Sequence, residues 1–362
     1  MIRYLRAKEF PLISVLVLAG LGVALPLLSA HPRLVENAYT HFLYANLTKG
    51  MTAFAGAFTF SVSEIALYAS ILGLLLLLAA AIVQKKWRHM LALATRSMAL
   101  AATWFYLGWG CNYFRLPLAE QLQLQSGSAS SDSSALRDDL LWSLTAANAV
   151  WREIPAWDLV RLDEEIERSY RLVCDTLGIA LMPGERRPKF LLFPGLFNYT
   201  LTSGMFGPFF HEVHLNSGLL PVEIPFVLAH EKAHQMGFAR EAEANFLAAL
   251  VCWMSPDSAV QYSGHFSILG HFWIRAALMN GSETLLEELR PEVRADFTAV
   301  RQRLQRYQGA VSEISHRSYD AYLRANRVAG GMQNYNDVVD LIMRWRRQLL
   351  TKNHSAGENV VR

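Results

Sequence analysis

The stretch Val227–Ala249, VLAHEKAHQMGFAREAEANFLAA, puts metal-ligating side chains, a carboxylate and helical spacing in one place. His230 and His234 are four residues apart, so on a helix their imidazoles converge on one face, with Glu231 beside them. Two histidines leave a metal one protein ligand short. Glu241 lies seven residues beyond His234, and in an unbroken helix it would sit roughly 10 Å along the axis, too far for a ligand bond of about 2 Å. The helix must therefore turn, and Gly237 is the residue that tolerates the left-handed conformation ending a helix. A second helix starting near Ala239 then presents Glu241 and Asn245 on one face, at i and i+4. It leaves Glu243 about 200° round from Glu241, as a solvent-facing charge or a partner for Arg240.

H-E-x-x-H on a helix is the arrangement used to hold zinc (Zn2+) in hydrolases, where the metal polarises a carbonyl and activates water and the glutamate acts as general base. The opposing interpretation is a polar helix face with solvated histidines. The apolar approach of Ile224, Phe226, Val227 and Leu228 and the apolar run Phe246–Trp253 argue against it, because both flanks read as buried helices. The residues thus nominate His230, His234 and Glu241 as metal ligands, Glu231 as catalytic base and Asn245 as the side chain that orients a ligand.

Two resemblances attach to these residues. H-E-x-x-H followed by E-x-x-A-N resembles the gluzincin metallopeptidases, which implies His230, His234 and Glu241 as the ligand set with Glu231 as base, although most gluzincins space the two motifs further apart. The compact H-x-x-G turn is similar to that of metzincins, whose third histidine would fall at Arg240. Over almost its full length the chain resembles the bacterial domain-of-unknown-function family 3810, through WGCNYFRLPL, HEKAHQMGFAREAEANFLA, QYSGH and NYNDVVDLI. That resemblance implies zinc-peptidase-like chemistry and a membrane anchor, and no substrate.

With 362 residues, 52% of them hydrophobic, and a mean hydropathy of +0.17, the chain is more apolar than an ordinary soluble domain. The excess sits at the front, where stretches at about 11–30, 62–83 and 90–111 can each cross a hydrocarbon core about 30 Å thick. The last contains Arg96, close enough to one end to snorkel. Arg3, Arg6 and Lys8 precede the first span, and Lys85, Lys86 and Arg88 separate the second from the third. The first loop offers only Arg33 and Lys49, so the N-terminus and second loop are expected in the cytoplasm and everything beyond the third span outside it. Cleavage of a signal peptide after Leu28-Ser29-Ala30 would leave the later topology unchanged. A net charge of +3 without a basic run beyond the membrane flanks excludes a nucleic-acid partner. Three cysteines, Cys111, Cys174 and Cys252, lack metal-site spacing; a Cys174–Cys252 disulfide is allowed but not required.

Beyond the spans, Trp109–Leu118 reads as an interfacial belt including Arg115, and residues 121–135 as a serine-rich linker. Residues 136–154 and 156–177 show helical periodicity about Pro155. The second sets Trp157, Val160, Ile166, Leu172 and Val173 against a charged face of Asp163, Glu164, Glu165, Glu167 and Arg168 that reads as solvated. Lys189–Phe193 and Phe209–Leu215 read as strands, the latter placing His211 and His214 on opposite faces, with a glycine-rich loop or hairpin between them. In the helix after Trp253, Tyr262 and His265 are candidate donors for an oxyanion. Charged amphipathic helices interrupted by Gly330-Gly331 close the chain.

The expected architecture is mostly α: a membrane anchor over 1–111 with three transmembrane helices, a juxtamembrane linker over 112–135, an α+β zincin-like metallopeptidase domain over 136–352 and a mobile tail over 353–362. The expected activity is zinc-dependent hydrolysis of a polypeptide substrate outside the cytoplasm by a multi-pass protein of the cell membrane, with the lipid bilayer as its other partner. The competing expectation is a catalytically silent, metal-stabilised membrane module that binds a peptide or envelope partner; the intact Glu231 disfavours it, since a structural zinc site has no use for a base.

Overall fold

The computed structural model describes residues 2–85, 87–125, 133–154, 156–184, 187–276, 283–326 and 337–358. Pro155, Gly330-Gly331, the start of the NYNDVVDLI motif and residues 126–132 of the serine-rich stretch lie outside the described residues. The chain divides into two compact units, one formed by 1–116, 182–192 and 207–212, the other by 117–181, 193–206 and 213–362.

The first unit contains α1 (Ile2–Ser29), α2 (Ala45–Gly56), α3 (Val62–Gln84) and α4 (Trp87–Gly108). Within them Leu12–Ser29, Val62–Gln84 and Trp87–Gly108 are long and apolar enough to cross a membrane, with mean hydropathies of 2.4, 2.6 and 1.2. Their side chains are mostly exposed, as lipid-facing surfaces must be in a protein seen without its bilayer. Between α1 and α2 a π-helical turn, Val35–Tyr44, buries Glu36, Tyr39 and Thr40. Arg115, expected in an exposed interfacial belt, is instead buried against Glu36, with Nε donating to Oε2 at 2.9 Å and Nη2 to Oε1 at 2.6 Å. A buried guanidinium requires such a planar acceptor, and a fork-to-fork pair satisfies both groups at once.

The chain returns to this unit twice. The buried Glu212 carboxylate accepts from the backbone N–H groups of Val62 and Ser63 at 3.0 and 2.7 Å, which places negative charge at the positive end of α3. Lys189 closes the arrangement, donating to Glu212 at 2.7 Å and to the carbonyls of Ala55 and Phe60.

The second unit is mainly helical: α5 (Ser133–Val150), α6 (Leu159–Leu177), α7 (Gly195–Thr200), α8 (Ile224–Gln235), α9 (Glu241–Trp253), α10 (Ser258–Ala276), α11 (Pro291–Tyr307), α12 (Ala310–Ala325) and α13 (Asp337–Glu358). The described strands are short, β1 (Pro188–Phe190) from the first unit and β2 (Gly204–Gly207) and β3 (Glu212–Leu215) mostly from the second, with the sheet order β1-β3-β2. The strand expected at Phe209–Leu215 is shorter, because His211 takes a left-handed φ of 55° and ends the extended run. The stretch expected as a loop or hairpin carries α7 and β2.

The core centres on α9, buried from Glu241 to Cys252 and packed by α6, α8, α10 and α13. The apolar face of α6 consists of Leu162, Ile166, Tyr170 and Val173, whereas Val160 and Leu172 point outward. Asp158 caps α6 by accepting from Val160 N at 3.0 Å, and Gly178 ends it with φ 66°. The charged face of α6 is not merely solvated. Lys232, fully buried on α8, reaches Asp163 and Glu167 at 2.6 Å each, because an ammonium at that depth needs carboxylate partners. Cys111, Cys174 and Cys252 are all buried free thiols.

Lys232→Ala strands two carboxylates that retain some contact with water, so it should cost about 3 kcal/mol, the lower end for a broken buried pair. Chemical denaturation of the detergent-solubilised chain measures this.

Candidate metal centre

α8 starts with Pro225 in its first turn, where the missing N–H costs nothing, and ends at Gln235. Gly237 has φ 84°, its N–H bonds to His234 O, and Phe238 N returns to Ala233 O. The chain thereby reverses before α9 begins at Glu241, as the sequence requires. One ligand atom each from His230, His234 and Glu241 lies within 4.8 Å of the others. His230 Nε2 is 3.2 Å from Glu241 Oε2, and His234 Nε2 is 3.5 Å from Glu241 Oε1. Around a tetrahedral ion with bonds of about 2.0–2.1 Å, ligand atoms lie about 3.3 Å apart, close to the separations of the two histidines from the Glu241 carboxylate. The two imidazoles stand at 89° with centroids 4.6 Å apart.

The other ring nitrogen of His234, Nδ1, meets the carbonyl of Phe238 at 2.8 Å. That contact fixes the tautomer in which Nε2 carries the lone pair, the support a metal-ligating histidine needs. His234 and Glu241 are buried and His230 nearly so, its side chain 13% exposed against 10% for His234. A group of three buried or half-buried donors can hold a metal ion.

Glu231 is buried beside the donors. Burial raises its pKa, opposed by the charges of His230 and His234 and by the backbone N–H of Phe206, which donates to it. β2 approaches so closely that a Cβ on Gly204 would lie 2.8 Å from the Glu231 carboxylate and from Val227, and only glycine leaves that space.

Other residues border the cluster without having been nominated by the sequence. Tyr319, on α12, donates its hydroxyl to Glu241 Oε1. His271, on α10, is coupled electrostatically to His230; burial and that charge push its pKa down to about 4. Tyr319 is separated from Glu241 by 78 positions, and its only local signal is membership of an aromatic pair with Tyr322.

The structure does not bring Tyr262 and His265 into this group. The Tyr262 hydroxyl donates to Asp296 Oδ2 at 2.6 Å. His265 stacks on Trp253 with centroids 5.1 Å apart and faces Trp142, and burial lowers its pKa to about 4. Asn245 is buried on α9, and its Nδ2 has no hydrogen-bond partner among the described residues. Glu243 is not the solvent-facing charge considered above: it is buried, its Oε1 accepting from Arg240 Nη1 and from the backbone N–H of Leu118, each at 2.9 Å. The pairing with Arg240 is as expected, and the burial arises because α9 is covered on every side.

A family model described as a protein of unknown function, DUF3810, matches residues 39–343. The chain belongs to this family. No curated protein and no solved structure matches it significantly. Membership in DUF3810 accounts for the resemblance of the motif-bearing stretches and assigns no chemistry, which the cluster itself must supply.

Two outcomes follow from the geometry. Glu241→Gln should weaken metal binding by more than about 100-fold, beyond the usual range for outer-shell changes. Glu243→Gln should keep the metal but lose about 1.5–3 kcal/mol of stability, because charged hydrogen bonds to Arg240 and Leu118 are lost. Metal content and thermal unfolding separate the two.

The centre is also pH-linked. In the metal-free cluster burial works against charge on His234, but Glu241 overcomes it and raises the pKa from 6.5 to about 9, while Glu241 itself is held well below the usual carboxylate range, chiefly by His234 against the pull of burial. A raised folded-state pKa gives the metal-free domain stability that is full below pH 6.5 and lost as pH rises through about 9. Metal binding below pH 9 displaces that proton, so affinity should rise about tenfold per pH unit until about pH 9. Calorimetry of zinc binding in buffers of different ionisation enthalpy should record this released proton at pH 7.5.

Proposed function

We propose that this protein is a membrane-anchored, zinc-dependent metallopeptidase acting on a polypeptide outside the cytoplasm. The observation that carries this reading is Glu231: a buried carboxylate with a raised pKa, beside three metal donors and oriented by the Phe206 N–H. A zinc ion held by His230, His234 and Glu241 supplies a Lewis acid that polarises a carbonyl and lowers the pKa of water. Glu231 takes the proton from the attacking water, and its raised pKa brings it closer to the neutral range in which it can hand that proton to the leaving amine.

β2 is an edge strand in the order β1-β3-β2 and comes close to Glu231 through Gly204 and Phe206, so an extended substrate added beside it would run along α8. The donor needed opposite the developing negative charge is better met by Tyr319 or His271, which border the cluster, than by Tyr262 or His265, whose contacts lie elsewhere. Asn245 lies buried one turn beyond Glu241 with its Nδ2 unpartnered among the described residues, so its role as the side chain that steadies that ligand is supported by the shared helix face alone. The extracytoplasmic side of the domain is argued from the lysine and arginine asymmetry about the three apolar stretches, which favours a cytoplasmic N-terminus.

Purified Glu231→Gln protein should retain zinc and its melting temperature and lose peptide hydrolysis by at least about 100-fold, as for other general bases. Hydrolysis measured on a quenched-fluorescence peptide library reads this. Equal turnover in wild type and Glu231→Gln would overturn the general-base role of Glu231, and no turnover in either would leave a metal-stabilised binding module as the better description.

A further inference from the structure

From Phe190 to Phe210 the sequence, FLLFPGLFNYTLTSGMFGPFF, contains no charged residue, although it belongs to none of the three apolar helices. Several of its large side chains, among them Phe190, Leu192 and Phe209, are exposed, Leu192 to 58%. Water-facing surfaces of soluble domains rarely concentrate apolar groups in this way.

Hydrogen bonds within the first unit fix the level of these side chains relative to the apolar helices. Leu192 N donates to Glu64 Oε2 at 2.7 Å, in the first turn of α3. Phe209 O accepts from Trp104 Nε1 at 3.1 Å, and Trp104 lies four residues before the end of α4, about 6 Å inside it. Lys189 and Glu212 bind the backbone around the start of α3, so the level does not depend on a single contact. α3 and α4 are consecutive and joined by a short connection at the other end, so the start of α3 and the end of α4 open on the same side. Phe54 and Phe60 are exposed in the same unit, and the Phe54 and Phe210 rings stack with centroids 6.5 Å apart. Aromatic rings at helix ends mark the headgroup boundary of a bilayer.

We infer that Phe190, Leu192 and Phe209 form a second, non-spanning membrane contact, inserted into the boundary between headgroups and acyl chains at the start of α3 and the end of α4. The occupant of the patch is lipid because the patch continues the lipid-facing surface of those helices, where Ile65 and Leu107 are also exposed, and because no charge interrupts it. A soluble peptide would have to enter that boundary to reach it. The contact is independent of the metal centre, and failure of the peptidase reading leaves it standing.

Spin labels on Phe190→Cys, Leu192→Cys and Phe209→Cys test it in the full chain in phosphatidylethanolamine and phosphatidylglycerol nanodiscs. Val160→Cys, 69% exposed on α6, serves as the aqueous control, and Leu72→Cys, 58% exposed within α3, as the lipid control. The native cysteines are buried, so labelling is directed to the introduced sites. The expected result is a ratio of oxygen to nickel-chelate accessibility several-fold above that at Val160→Cys and approaching that at Leu72→Cys. A ratio equal to that at Val160→Cys would overturn the inference in favour of water. Low accessibility to both reagents would overturn it in favour of a covering protein surface, including a second copy. Three separate sites keep the test decisive if one variant folds poorly.

Discussion

Glu241 reaches the two histidines only because the chain reverses between Gln235 and Glu241, and that reversal depends on the left-handed Gly237. The same turn sets the carbonyl of Phe238 against His234 Nδ1, so one backbone conformation delivers the third donor and fixes the tautomer of the second. Burying two imidazoles and two carboxylates would be costly if they were left apart. With His230 and His234 at 3.2 and 3.5 Å from the Glu241 carboxylate, that charge is offset even before a metal arrives.

The opposite side of α8 is held with equal care. Lys232 is two residues from both His230 and His234, hence about 200° round the helix, and its ion pairs with Asp163 and Glu167 lock the rotation of α8 against α6. Tyr170 donates to the carbonyl of Ala229, and Ser263 accepts from the N–H of Phe226 at 3.1 Å, fixing the helix along its length. A metal site needs its ligands held within a fraction of an ångström, and here that rigidity comes from contacts remote from the metal face.

Local features were legible in the sequence. The H-E-x-x-H spacing, the glycine that turns the chain, the face shared by Glu241 and Asn245 and the three apolar helices all arise from neighbours within a few turns. The features that escaped are those closed over long separations. Tyr319 meets Glu241 from α12, Gly204 and Phe206 meet Glu231 from β2, and nothing periodic announces either. Asp163 and Glu167 look like a solvated face because their partner lies on another helix, and Arg115 looks interfacial because Glu36 lies 79 residues earlier. Tyr262 and His265 were attractive as polar tips in an apolar helix, but Asp296 and Trp253 already engage them. A polar side chain in such a helix indicates that it has a partner, not which partner.

The proposed catalytic use of Glu231 has an energetic argument behind it. Its burial opposes ionisation, and β2 comes close enough that Gly204 is the only residue with room beside it. A metal that served stability alone would gain nothing from this carboxylate, and an alanine there would remove a buried acid and relieve the packing against Gly204. Keeping the acid therefore argues for a proton that has to be moved at this position.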